Sequence, residues 1–219
     1  MKKLFAFFAS LVLCCSAYAQ KTFVSNQGFE IPANEVSLSY GRVSIPSFAY
    51  TFGGVLGTAF GFGAIKPEKL CSVGAVSAEY MRYVHPHVAV GGGLTYEIYN
   101  LTFSHKVGTD EDGNAIYKAD KPSLNHIVSI MPAVKFPWFS YPHVSMYSKV
   151  AAGFMVIHNP GYTAEKDGKT EIKDASTQVN WAMQATPIGV DFGGTNFRGF
   201  VDLGVGMQGL IMAGLRYNF

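Results

Sequence analysis

The chain closes on "GLRYNF", Gly214–Phe219, and the reading of this stretch decides the fold. Leu215, Tyr217 and Phe219 alternate with Gly214, Arg216 and Asn218 up to the last residue. A side-chain period of two belongs to a strand whose two faces meet unlike surroundings. Chain ends are usually polar and frayed, whereas here the alternation runs off the end. It also extends upstream through Ile211 and Ala213, with Met212 between them. A strand in this position exposes unpaired backbone groups unless neighbours cover both of its edges.

Seven further segments supply such neighbours. Their apolar positions are Val36, Leu38 and Tyr40; Val76, Ala78 and Tyr80; Val90, Leu94, Tyr96 and Ile98; and Val128, Ile130, Val134 and Phe136. The series continues with Val144, Met146, Val150, Ala152 and Phe154; Val179, Trp181, Met183 and Ala185; and Phe197, Val201 and Leu203. Mostly small or polar residues stand between them, with Met81, Tyr99, Tyr147 and Phe200 among the larger exceptions. The total is eight segments of roughly ten residues each. A strand tilted about 45° crosses a bilayer in about 9–11 residues, and a closed barrel of an even number of strands leaves no edge facing lipid. The predicted fold class is therefore all-β: an eight-stranded antiparallel up-and-down transmembrane β-barrel.

The N-terminus agrees. "MKKLFAFFASLVLCCSAYAQ" has Lys2 and Lys3, an apolar run from Leu4 to Cys15, and Ala17-Tyr18-Ala19 before Gln20. This is the three-part layout of a secretory signal peptide, and its 12-residue apolar run is too short for a spanning helix. The expected organisation is a signal peptide at 1–19, a periplasmic arm at 20–34 and a barrel at 35–219. Without Lys2 and Lys3, the 17 basic residues fall to 15, equal to the 15 acidic ones, which gives no case for nucleic acid. Of three cysteines only Cys71 follows the signal, so neither an internal disulfide nor a cysteine zinc site is expected. No cofactor and no metal are expected.

Loop lengths separate a membrane barrel from a soluble sandwich. His85-Pro86-His87, Pro137–Pro142 and Gly193-Gly194-Thr195-Asn196 make short connections. The spans 44–70, 105–124 and 158–176 are long, and only the last connection, near Gly206–Gln208, breaks the alternation by being short. Outer-membrane barrels pair short periplasmic turns with long external loops. Aromatic residues gather near the short turns: Tyr80, Tyr83, Phe136, Trp138, Phe139, Tyr141, Phe192 and Phe197, with Tyr217 and Phe219 at the C-terminus. They are read as an inner interface girdle, with Tyr96, Phe103, Phe154 and Trp181 as an outer one. Pro187 interrupts the sixth segment, and the inward positions change from even to odd across it. A β-bulge is expected near Thr186-Pro187.

The signal peptide, the eight segments and the terminal "LRYNF" together resemble the small outer-membrane β-barrel proteins of Gram-negative bacteria. The resemblance implies that Leu215, Tyr217 and Phe219 form the signal read by the barrel-assembly machinery. It also implies outer-membrane lipid as surroundings.

Inside such a barrel, strand parity places Glu79, Glu97 and Asp202 against Lys135, Lys149, Arg198 and Arg216, with Asp191 also inward. An eight-stranded barrel is just wide enough for side chains to fill, so these charges are expected to pair across the lumen and plug it. The resulting function is structural or surface-interactive and not enzymatic. The alternative is a small-solute or ion channel gated by the 44–70 loop. A third reading is a lipid-modifying barrel enzyme, for which His143-Val144-Ser145 is the candidate pair; parity turns it inward, and the adjacent turn places it at the periplasmic end, away from the outer leaflet. His126 and Ser129 lie nearer the outer end but on opposite parity. Externally, "TDEDGNAIYK" (Thr109–Lys118) and "AEKDGKTEIK" (Ala164–Lys173) each centre on Asp-Gly, a favoured hairpin turn, and are predicted to extend their strands as protruding hairpins. "DEDGN" lacks the full ligand pattern of a calcium loop. The apolar, glycine-rich 47–65 stretch is read as a lid, or as a contact for a hydrophobic ligand, lipid or partner. The loops 44–70, 105–124 and 158–176 are the surfaces for any external ligand or partner.

Overall fold

The computed structural model describes residues 23–24, 30–44, 65–109, 115–119, 123–166, 169–173 and 175–219. The segment read as a signal peptide, most of the apolar 47–65 loop and the Asp112-Gly113 and Asp167-Gly168 dipeptides lie outside the described residues, as does the side chain of Phe103. Eight strands form the barrel: β1 (Asn34–Arg42), β2 (Ile65–His85), β3 (Val88–Thr109), β4 (Ser123–Ser140), β5 (Val144–Asn159), β6 (Ser176–Gly193), β7 (Phe197–Gly206) and β8 (Ile211–Asn218). Each pairs antiparallel with its sequence neighbour, and β8 pairs back onto β1. The terminal stretch that opened the sequence reading is the closing seam: Leu215 opposes Leu38, and Tyr217 opposes Val36. At its tip Asn34 N–H donates to Phe219 O at 3.0 Å and Phe219 N–H to Asn34 O at 2.9 Å.

Parity holds around the ring. Odd-numbered residues point inward along most of β1 to β5, apart from Val73 and Phe139, which the register shifts at Ser72/Ala75 and Pro137/Phe139 leave exposed, and even-numbered ones point inward on β7 and β8. β6 changes over at the expected place. Its pairing with β5 shifts between Thr186 and Gly189, and its pairing with β7 between Ala185 and Ile188. Thr186 and then Gly189 are buried, with exposed Pro187 and Ile188 between them. Proline has no ladder donor, and the bulge absorbs that gap.

The strand lengths depart from the uniform ten residues expected. β1, β7 and β8 have 9, 10 and 8 residues, whereas β2 to β6 have 21, 22, 18, 16 and 18. Antiparallel ladders continue at no backbone cost wherever both arms remain extended, so the spans 44–70, 105–124 and 158–176 are partly strand. β3 runs on to pair with Ala115–Ala119, and Tyr162–Lys166 pairs with Lys169–Lys173. The arms of both predicted hairpins are therefore paired, while their Asp-Gly centres lie outside the described residues. β4 likewise reaches Ser140, past Pro137, with a register shift between Pro137 and Phe139. The tall strands form one continuous side of the ring, and the short strands β7, β8 and β1 form the other. We call the end bearing His85–Val88, Ser140–Val144, Gly193–Phe197 and the Asn34–Phe219 tip of the β8–β1 seam the turn end, and the opposite end the loop end.

The outer face is apolar. Leu38, Val76, Ile130, Val150, Met183, Leu203 and Leu215 are among many large hydrophobic side chains left exposed there. Phe136, Trp138, Phe139, Phe192, Phe197 and Tyr217 ring the outside near the turn end, with Phe197 and Tyr217 packed at a centroid separation of 4.7 Å. Tyr80 also faces out, its hydroxyl donating to Asn34 Oδ1 at 2.7 Å. Tyr83 departs from the girdle set. Its odd parity turns it into the barrel, where its hydroxyl reaches Glu35 Oε2 at 3.3 Å.

Candidate functional site: the lumen

The interior is filled by side chains in two layers. Toward the turn end lies a polar layer built by seven strands. Lys135 Nζ on β4 sits 3.0 and 2.9 Å from the two carboxylate oxygens of Glu35 on β1, and 3.5 Å from Asp191 Oδ2 on β6. Arg216 on β8 binds the other oxygen of Asp191 and approaches Glu35 Oε1 to 3.4 Å. Its second nitrogen, Nη2, donates to the Tyr147 hydroxyl on β5 at 3.1 Å. That hydroxyl donates in turn to Asp202 on β7. Lys149 closes the chain of contacts, 3.4 Å from Asp202 Oδ2 and 2.9 and 2.8 Å from the oxygens of Glu79 on β2.

Four carboxylates thus meet three cations, all with side chains at most 5% exposed. Buried charges are stable only when paired and hydrogen-bonded, and the spacing here lets each cation bridge two acids. The aromatic rings supply the remaining coordination. Lys135 Nζ lies 4.1 Å from the Tyr147 ring centroid, and the Arg216 guanidinium carbon 4.5 Å from that of Phe200.

The connection between β7 and β8 ties this layer to the loop end. Gln208 Nε2 donates to Glu79 Oε1 at 2.6 Å, while Gln208 N–H donates to Gln184 Oε1 at 2.9 Å. Gln184 Nε2 donates to Gly209 O at 3.3 Å. Gly209 takes a φ of +119° here, and a Cβ would stand 2.5 Å from Arg42 O, so the inward fold of this turn needs glycine. Met207 is buried beside it.

Toward the loop end the filling changes character. Tyr99, Ile127, Met131, Ala182 and Met207 pack as a buried apolar cluster, with Met155 and Ile157 against it. Glu97 enters this level as a buried carboxylate, accepting from Ser44 Oγ at 2.8 Å. Ser77 and Thr95 join hydroxyls at 2.9 Å below it.

Of the seven charges assigned to the lumen, Glu79, Lys135, Lys149, Asp202 and Arg216 come together in the polar layer. Glu97 lies apart from them in the upper level. Arg198 stands at the turn-end mouth, half-buried, and binds Ser145 Oγ, Pro142 O at 2.8 Å and Gly194 O at 3.0 Å. Glu35 was missed because it falls at the boundary set for the N-terminal arm. Gln208 was missed because it comes from a turn and carries no periodic signal. The His143–Ser145 pair does not form. Ser145 is buried and engaged by Arg198, whereas His143 precedes β5, is exposed, and places Nδ1 3.1 Å from Gly193 O. His126 faces outward, with Nδ1 2.8 Å from the Tyr96 hydroxyl, while Ser129 is buried inside.

A pocket of about 170 Å³ remains at the turn-end mouth, between Arg198, Asp191, Tyr83 and the residues Glu30–Pro32 of the arm. Among the described residues no group of three or more His, Cys, Asp or Glu side chains is placed to hold a metal ion. The arrangement serves to lock seven strands to one another through the interior. Comparison with models of protein families and with curated proteins finds no match to the chain.

Proposed function

We propose that the chain is an integral outer-membrane β-barrel protein of a Gram-negative bacterium, exported through a cleaved signal peptide. In this reading the lumen is a structural plug, the role is structural or surface-interactive, and the protein is not an enzyme. The observation that carries it is the ion network that crosses the interior from β1 to β6 beneath an outer face of exposed hydrophobic side chains. A soluble protein of this size rarely leaves so much large apolar surface uncovered. The turn end would face the periplasm, and the tall β3 and β5–β6 hairpins would reach outward to an external ligand or surface partner. The terminal Leu215, Tyr217 and Phe219 are the proposed signal for the barrel-assembly machinery.

A plugged barrel passes no steady ionic current in a planar bilayer. Sustained conductance from the purified, folded protein would favour the channel reading. Deleting Phe219 removes its two backbone hydrogen bonds with Asn34 and the terminal aromatic. Heat-resistant, folded barrel in isolated outer membranes is expected to fall several-fold, and undiminished assembly would remove the role given to this residue.

A further inference from the structure

The outer wall is not uniform. Reading across the strands, Leu94, Ile130, Phe154 and Trp181 lie side by side on β3, β4, β5 and β6. One outward rung toward the turn end from the first three, the row becomes Gly92, Pro132 and Ala152. One outward rung further it is Val90, Val134 and Val150. A rung of almost no side-chain volume therefore runs between two rungs of branched or aromatic ones. Tyr80, opposite Gly92 on β2, stops it at one end. The resulting trough has a volume of about 680 Å³ and a lining that is almost entirely apolar. Its floor is also a weak point of the ladder: β4 and β5 bridge at Ile130–Phe154 and again at Ala133–Ala151, with Pro132 lacking a donor between them.

We propose that this trough is a seat for one linear hydrocarbon chain, the acyl chain of a membrane lipid. The inference rests on the membrane reading above. Three features select a chain over other occupants. The trough is one side-chain rung wide, so it takes a thread and not a ring system. Its polar lining residues are Tyr80, whose hydroxyl is committed to Asn34, and Glu79, whose carboxylate is held inside the lumen by Lys149 and Gln208, so neither offers a headgroup a free partner. A second copy would bring the convex wall of a barrel against a hollow, and isologous contact needs self-complementary patches. Lipid chains are as apolar as the wall itself, so the preference comes from dispersion contacts in a matched groove, not from hydrophobic transfer.

The two tryptophans, Trp138 and Trp181, provide the test. Trp181 lines the trough and is 77% exposed; Trp138 lies on the outer face near the turn end and is 53% exposed. Trp138→Phe and Trp181→Phe variants each leave one reporter. Both are reconstituted in phosphatidylcholine vesicles containing increasing fractions of the same lipid with dibrominated chains, which quench tryptophan on contact. Trp181 is expected to reach half-maximal quenching at a mole fraction about threefold below that for Trp138. Adding Ala152→Leu, which fills the floor from the exposed side, is expected to bring the two curves together. Gly92 is not the position to fill, because a Cβ there lies 3.1 Å from Met131 O. Coincident curves without Ala152→Leu would overturn the seat while leaving the membrane reading intact. Quenching of Trp138 with Trp181 shielded would put a second copy on the trough and also overturn it. Absence of quenching at both positions would overturn the membrane reading itself.

Discussion

The two layers of the lumen fill the same cylinder by opposite means. In the turn-end layer Glu35, Asp191, Asp202 and Glu79 are matched to Lys135, Arg216 and Lys149 through directed contacts. In the loop-end layer Ile127, Met131 and Met155 fill space without direction. Ion pairs specify partners: a slip of one residue on any strand would send its charge to the outer face. Apolar packing specifies volume and tolerates exchange among side chains of similar size. The turn-end layer therefore fixes the register of the barrel, and the loop-end layer closes it.

This contrast can be broken in order of expected effect. Arg216→Ala removes the cation shared by Asp191 and Glu35 and leaves the Tyr147 hydroxyl without its donor. It is expected to cost about 3–5 kcal/mol, because the carboxylates stay buried. Urea unfolding of the lipid-reconstituted protein, followed by tryptophan fluorescence, measures the loss. Adding Asp191→Asn is expected to return about 1–2 kcal/mol through the coupling of the pair, and strict additivity would deny that the layer acts as a network. Met131→Ala in the upper layer is expected to cost about 2–3 kcal/mol in the same titration by leaving a cavity. A loss as large as that of Arg216→Ala, rescued by no neighbour of similar volume, would erase the distinction between the layers. Ile127→Val should be the mildest, about 1 kcal/mol, and its near-native unfolding midpoint would confirm that volume alone matters there.

Much of this was legible in the chain. Alternation gave the eight strands, and the parity change at Pro187 gave the bulge, because both follow from the period-two geometry of the backbone. Charges at inward positions stood out since nothing else explains a lysine between Val134 and Phe136. The upper layer was harder to see: Ile127 and Met131 are inward yet as apolar as their outward neighbours, so polarity cannot reveal which way they face. Tyr83 was placed with the outer aromatics by its nearness to a turn, although its odd parity with Glu79 and Met81 already pointed inside. The outer trough was invisible as a feature because it needs Gly92, Pro132 and Ala152 to be adjacent, and only the register brings them together.

The bulge in β6 carries a consequence for how the barrel can vary. The outward set on that strand passes from Met183 and Ala185 to Ile188, Val190 and Phe192, and the inward set from Gln184 and Thr186 to Gly189 and Asp191. The same sequence run as a regular strand, with no bulge, would keep a single phase, so Asp191 would face out and Phe192 would be driven into the charge layer. Pro187 thus acts as a phase shifter between two stretches of one strand. Each stretch can then accept or lose residues in pairs without disturbing the other, whereas any odd-numbered change must be matched by a second bulge elsewhere.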